Sequence, residues 1–274
     1  MIENIKDILK IEQSEGGILR LTLNDPSNKN ALSNKMMKEL QSHISNASSD
    51  DSIRVIVIAA VGDVFCSGHN LREISGARNN ADGGKEYLSN LFRLCSSLMI
   101  MIASCSKPVI AEINGIATAA GCQLVASCDL AISSDSSTFA TPGVNIGLFC
   151  STPMVALSRN VSKKDSMRML LSGDMIDSIE AKRISLINDH VPSKDLHHVV
   201  MSLASKIAVK PLATLKLGKE AFYRQHEMSL SDAYDYTSLV MTENSLSDDA
   251  NEGISAFLEK RDPVWKDDLF TEKE

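Results

Sequence analysis

Several features are missing from this 274-residue chain, and each absence removes a class of function. No apolar run reaches the roughly 18 residues that would suggest a membrane span. There is no basic excess: 28 Lys and Arg face 35 Asp and Glu, a net charge of −7. That balance argues against nucleic acid or an anionic membrane as the main partner. An anionic ligand would then depend on local basic residues and oriented backbone N–H groups. The first ten residues, MIENIKDILK, lack both the apolar block of a signal peptide and the Arg- and Ser-rich composition of a transit peptide. If the start is complete the expectation is a cytoplasmic protein; if a presequence has been removed, an organelle matrix. Zinc-ligand spacing is also missing. Of the 6 cysteines, Cys122 and Cys128 have five residues between them and no nearby His, so buried reduced thiols are expected and no metal. We find neither an internal repeat nor a low-complexity tract.

What is present is ordinary globular material, 43% hydrophobic and 23% charged, enough for a sizeable core. Ile8–Glu12 and Ile18–Leu23 alternate apolar and polar around a turn at Ser14–Gly17, which predicts a hairpin. Ser33 is placed to cap a helix carrying Met36, Met37, Leu40 and Ile44 at helical spacing. The continuous apolar run from Arg54 to Ala60 reads as a strand buried on both faces. A second cycle follows: a long helix over about Tyr87–Ala103, a strand at Pro108–Ile113, a small-residue helix over about Ala120–Ser127 and a strand at Leu130–Ser133. Strand, helix, strand in succession implies parallel pairing with crossovers. Ile74–Glu86, rich in Gly, Asn and Asp, is expected to be a mobile loop. Beyond Pro192 the segments 194–209, 212–225, 230–248 and 249–261 all read as helices, a tail that covers the core or packs on a neighbouring subunit.

Four stretches then stand out in order. They are Asn28–Leu32; Val64–Leu71 (VFCSGHNL); Pro108–Ala111 running through Asn114–Ala117 to Ala120–Leu124 and Cys128–Asp129; and Glu252–Arg261 (EGISAFLEKR). As an ordered set covering essentially the whole chain, they are similar to the enoyl-CoA hydratase/isomerase (crotonase) superfamily. The resemblance implies an α/β fold, the crotonase (ClpP-like) spiral of repeated β-β-α units with a helical C-terminal region. It implies a division into a spiral core with an acyl-CoA site (1–195) and a helical oligomerisation region (196–274). It further implies a homotrimer or a dimer of trimers, and coenzyme A as part of the substrate rather than a permanently bound cofactor.

Thioester chemistry explains the second and third stretches. Attack on a thioester, or enolisation beside it, puts negative charge on the carbonyl oxygen, and two fixed backbone N–H donors stabilise it, each worth on the order of 10²–10³ in rate. By the resemblance, these donors are the N–H groups of His69 and Ala120, the latter at a helix start where the macrodipole adds positive potential. The resemblance also places backbone near Ser67 at the adenine, Arg72 at the phosphates, and Phe257 and Lys260 at the nucleotide.

The chain departs from the family at the two hydratase glutamates, whose positions hold Gln123 and Gly143. A carboxylate accepts a proton and returns it; an amide only hydrogen-bonds, and glycine has no side chain. Each general acid–base group contributes roughly 10²–10⁴ in rate. Three readings follow: an acyl-CoA enzyme with altered chemistry, a non-catalytic acyl-CoA sensor or buffer, and a weak hydratase in fatty-acid metabolism. No catalytic residue is assigned by sequence. The His69 side chain is a candidate substitute base, while Asp129 and Glu112 read as structural. Asn145, Cys150 and Ser151 follow the glycine and are candidate pocket residues, and Cys150 as a nucleophile would need a base partner that the sequence does not supply.

Overall fold

The computed structural model describes residues 7–265, so the ends of the two expected regions, 1–6 and 266–274, lie outside the described residues. The opening hairpin is formed by β1 (Leu9–Gln13) and β2 (Ile18–Leu23), paired antiparallel. α1 (Asn34–Ser49) begins at Ser33, whose hydroxyl accepts from the Met36 N–H, and buries Met36, Met37, Leu40 and Ile44. β3 (Val55–Ala60) then enters the middle of a sheet. Its continuous apolar run has a simple cause. Ile56 and Ile58 belong to the main core, whereas Val55 and Val57 belong to a second core on the opposite face.

After β3 a short strand, β4 (Val64–Cys66), leaves for a second sheet, followed by α2 (Leu71–Ala77) and α3 (Lys85–Ser104). The unit then repeats. β5 (Val109–Ile113) leads to β6 (Ile116–Thr118) and α4 (Ala120–Ser127); β7 (Leu130–Ser134) leads to β8 (Thr138–Ala140) and, after the 3₁₀ turn Pro142–Ile146, to α5 (Pro153–Asn160). α6 (Lys163–Ser172), β9 (Ile176–Asp177), α7 (Ser178–Arg183) and β10 (Asp189–Val191) complete the core. One sheet runs β1-β2-β3-β5-β7-β10 and the other β4-β6-β8-β9. From β2 to β10 the first sheet is parallel, as is β4-β6-β8 in the second. Each β-β-α unit therefore contributes one strand to each sheet, the expected spiral.

Two glycines set the spacing between successive turns of this spiral. A side chain on Gly121 would collide with the Cys66 carbonyl, and one on Gly115 with the Asp63 carbonyl. α4 thus lies directly against β4 because nothing larger than hydrogen fits between them.

One expectation is corrected. Ile74–Glu86 is not one loop: α2 covers its start, capped by the Asn70 side chain, and only 78–84 lies between helices before α3 begins. The helix escapes notice because it buries Ala77 alone, so it has no apolar period. α3, with mean hydropathy 1.3, is long and apolar enough to cross a membrane by composition. It is nonetheless amphipathic, burying Leu91, Cys95, Leu98, Met99 and Ile102, and it packs on α1 and α4. α8 (Ser193–Ala208) contributes Leu196, Val200, Ala204 and Ala208 to the second core.

α9 (Leu212–Gln225), α10 (Leu230–Ser245) and α11 (Asp248–Glu259) form the tail. α9 is pinned to the core by Asp129, the last residue of the third motif. One Asp129 carboxylate oxygen accepts from Lys219 Nζ (2.6 Å) and the Val109 N–H (2.7 Å), and the other from Tyr223 Oη (2.9 Å). Lys219 Nζ also donates to the carbonyls of Ile102 and Lys107. Glu112, on β5, likewise serves structure: it accepts from Arg20 at 2.5 Å and faces His197 on α8 at 3.4 Å. Both acidic residues hold elements together, as the sequence suggested.

Because Lys219 is largely buried, Asp129→Ala leaves an ammonium without its counter-charge. The expected cost is about 3 kcal/mol, read as a lowered denaturation midpoint in urea; Asp129→Asn, which keeps one acceptor oxygen and the side-chain volume, should cost less.

Candidate functional site

The site is built where the first three motifs meet. Asn30, buried and with φ 50°, donates from Nδ2 to the carbonyls of Val61 (3.0 Å) and Val64 (2.7 Å), while its Oδ1 accepts from the Asp25 N–H. The Leu32 N–H donates to the Gly68 carbonyl (2.8 Å) and the Ser67 N–H to the Lys29 carbonyl (3.2 Å). Thr118 Oγ1 donates to the Ser67 carbonyl. The Asn28–Leu32 stretch is thus a brace for the segment Ser67-Gly68-His69, a role invisible without the fold.

Gly68 has φ +92°, and a methyl placed on it would come within 2.9 Å of the Ala119 Cβ and 3.1 Å of the Ala120 nitrogen. The segment preceding the His69 N–H therefore runs beside the first N–H of α4. Neither the His69 N–H nor the Ala120 N–H donates a hydrogen bond to any described group. Ala119 itself has φ 51° and ψ −118°, a conformation that alanine rarely adopts and that costs of order 1–3 kcal/mol. Strain of this kind persists where surrounding bonds impose it; here the Ala119 N–H donates to the Ala140 carbonyl and its carbonyl accepts from the Gln123 N–H. The result is two adjacent, unspent N–H donors at a helix N-terminus.

Gln123 lies on α4 one turn beyond Ala120 and is buried. Its Oε1 accepts from the Cys95 thiol of α3 at 3.8 Å. Position 143 has no room for a side chain: a Cβ there would stand 2.8 Å from the Leu148 carbonyl oxygen and 2.9 Å from Cys150 Sγ. The chain after Gly143 folds back over it, with the Leu148 N–H donating to the Gly143 carbonyl. Thr141 Oγ1, just before this turn, is buried without a partner.

All six cysteines are free and buried. Burial pushes the thiols of Cys66, Cys95 and Cys122 up to about 12, and it raises Cys150 as well. No base accompanies Cys150, so it supplies bulk over Gly143 rather than a nucleophile. Among the described residues no cluster of His, Cys, Asp and Glu could hold a metal.

His69 carries one of these donors on its backbone, and its side chain packs against Phe92 and the Leu32 carbonyl. Its Nδ1 stands 3.4 Å from the Leu32 carbonyl oxygen, its ring meets Phe92 of α3 edge-on at 5.4 Å, and Nε2 is buried with no partner. Burial lowers its pKa below the usual value, opposed by the Leu32 carbonyl and by Glu73. Arg72 is exposed on the first turn of α2. Phe257, 83% exposed, and Lys260, the left-handed cap of α11, lie on the tail, and no hydrogen bond, ion pair or ring contact joins them to Ser67, His69 or Ala120. The fold thus brings the Ser67–His69 segment against Ala120, with Gln123 one turn further along α4, and gives the two tail residues no contact with them. It adds Phe92, Thr118 and Leu148, and gives Asn30 of the first stretch a structural role.

Known proteins resemble this chain over nearly its whole length. The sequence profile described as enoyl-CoA hydratase/isomerase matches residues 13–268. The Xenopus laevis protein named enoyl-CoA hydratase domain-containing protein 3, mitochondrial, is 48% identical over 257 residues, covering 94% of this chain and 86% of its own. The crystal structure of human enoyl-CoA hydratase domain-containing protein 3 superposes with a TM-score of 0.89 at 45% identity, over 94% of this chain and 100% of that one. An enoyl-CoA hydratase from Mycobacterium smegmatis gives a TM-score of 0.90 at 44% identity, over 94% and 98%. The segments ATAAGCQLVASCD and FATPGVNIGLFCSTP point to the same domain-containing protein 3 branch.

The lowered pKa of His69 has a definite sign in stability. The unfolded chain takes up this proton first, so the stability held with neutral imidazole is present above about pH 6.5 and is lost as pH falls below it. His69→Phe removes the term. The thermal midpoint of the wild type should therefore fall more steeply between pH 7 and 5 than that of the variant, as measured by circular dichroism melts.

Proposed function

The chain belongs to the enoyl-CoA hydratase/isomerase family, and from that premise we propose that it binds acyl-CoA thioesters and polarises their carbonyl without standard 2-enoyl-CoA hydration. The observation that carries the binding half is the close approach of Gly68 to the Ala120 nitrogen, with the His69 and Ala120 N–H groups unspent. Two such donors form an oxyanion hole: they meet a thioester oxygen, and they meet it better as it gains charge. Ser67 and Arg72, on the same segment and the following helix turn, are the proposed contacts to adenine and phosphate.

The hydration half rests on positions 123 and 143, where the family resemblance leads one to expect glutamates. Gln123 faces a thiol whose burial opposes charge, and its amide has no useful basicity. The volume beyond Gly143 is taken by the Leu148 carbonyl and Cys150. A carboxylate introduced there must displace backbone, so this turn is adapted to glycine rather than merely missing a side chain. The proposed role is a binder of acyl-CoA whose remaining chemistry, if it turns over a thioester, does not run through two carboxylates.

The proposed partner, besides the thioester, is the chain itself. α10 and α11 expose Leu230, Tyr234, Leu239, Leu246, Phe257 and Leu258, an apolar surface larger than isolated helices of a monomer usually show. Burial of these residues in a trimer or dimer of trimers also moves Phe257 and Lys260 into an assembled surface. An organelle matrix is the proposed location, in line with the mitochondrial name of the frog relative.

Two measurements check these readings. Purified protein should hydrate crotonyl-CoA on the order of 10⁴-fold more slowly than a two-carboxylate hydratase assayed beside it, yet bind butyryl-CoA saturably by calorimetry. Gly68→Ala, which crowds the Ala120 nitrogen, should weaken that binding by about tenfold or more. Turnover close to the reference and sensitive to Gly68→Ala would overturn the loss of hydration; absence of binding would overturn the acyl-CoA reading. For assembly, sedimentation equilibrium should give a trimer or hexamer, shifted toward monomer by Leu239→Glu with Phe257→Glu, and a monomeric wild type would refute it.

A further inference from the structure

We infer that the His69 imidazole is a specificity-determining residue, its Nε2 accepting a hydrogen bond from an O–H donor that the ligand carries on the second carbon from its thioester carbonyl, as in a 3-hydroxyacyl group. The inference rests on the acyl-CoA reading above and adds what that reading leaves open, the polarity of the acyl chain.

Tautomer comes first. Nδ1 faces the Leu32 carbonyl oxygen at 3.4 Å, an acceptor only, so the ring proton sits on Nδ1 and Nε2 presents a lone pair. That lone pair is buried and meets no donor in the protein. A buried acceptor left unpaired is a standing cost, and a ligand that supplies the donor relieves it.

Position comes second. Phe92, which touches the His69 ring, and Cys95, which touches the Gln123 amide, are three residues apart on α3. Side chains at that spacing share one helix face and stand roughly 5 Å apart. The imidazole and the Gln123 amide therefore flank the same space. The His69 N–H and the His69 ring belong to one residue, so a thioester oxygen held on that N–H keeps its neighbouring carbons within reach of the side chain. Phe92 also lines an open groove on α3 with Ser89, Arg93 and Ser96, and its ring is partly exposed. The assignment requires Phe92 to move aside, because Nε2 is buried where the ring now stands.

An O–H donor has two sources, a hydroxyl on the acyl chain or a trapped water, and one experiment separates them. Binding of 3-hydroxybutyryl-CoA and of butyryl-CoA is measured by calorimetry on the full-length wild type and on His69→Phe, which keeps a ring against Phe92. The wild type should prefer the hydroxyacyl ligand by about fivefold to tenfold, and the variant should show a ratio near one. On the wild type alone, nitrogen-15 NMR of the imidazole should show the Nε2 resonance moving with 3-hydroxybutyryl-CoA and not with butyryl-CoA. Equal movement with both ligands identifies water as the donor and overturns the assignment. So does a wild-type ratio of one, or a preference unchanged in His69→Phe. Binding of neither ligand overturns the acyl-CoA reading and this inference with it, whereas binding of both without discrimination overturns this inference alone.

Discussion

The site depends on one contact: the chain at Gly68 lies against the first turn of α4, with the Ala120 nitrogen as its nearest polar neighbour. Everything around it enforces that approach. Gly121 lets α4 sit on the Cys66 carbonyl, Gly68 supplies a backbone conformation closed to most side chains, and Ala119 accepts a strained one. Asn30 and Leu32 hold the opposite side of the segment by hydrogen bonds to backbone. Backbone donors fixed in this way need no reorganisation when a ligand's oxygen gains charge, which is the condition under which such donors act strongly.

Around those donors the buried groups are neutral. Gln123, the thiols of Cys66, Cys95 and Cys122, and the Leu148–Cys150 turn form a neutral, largely apolar lining. An ionised carboxylate buried there would carry a desolvation cost that an amide avoids. Positions 123 and 143 agree in this respect: Gln123 is a buried neutral amide, and the turn over Gly143 leaves no room for a side chain. His69, kept neutral by burial, fits the same lining.

The tail obeys different physics. α8 completes the core by sealing the second face of the six-stranded sheet, and α9 is tied down by the Asp129, Lys219 and Tyr223 network. Beyond that point α10 and α11 keep large apolar side chains in solvent. The chain thus changes after α9 from a packed core to helices with large exposed apolar side chains.

Much of the core was legible in the sequence because its signals are local. The Ser33 cap, the helical spacing of Met36, Met37, Leu40 and Ile44, and the unbroken apolar run of β3 each report a nearest-neighbour preference. The ordered motifs likewise carried the family and the positions of Gln123 and Gly143. The three-residue strands β4, β6 and β8 were not legible, since they are too short to show alternation. Nor was α2, a surface helix with only Ala77 buried. What tertiary structure alone decided concerns pairs distant in sequence: Asn30 with Val64, Phe92 with His69, Cys95 with Gln123, and Leu148 folded over Gly143. Sequence determined which groups are available, because that is fixed by residue type and local backbone preference. Which nitrogen stays unpaired, and which position has no room, follows from packing between elements that no local pattern encodes.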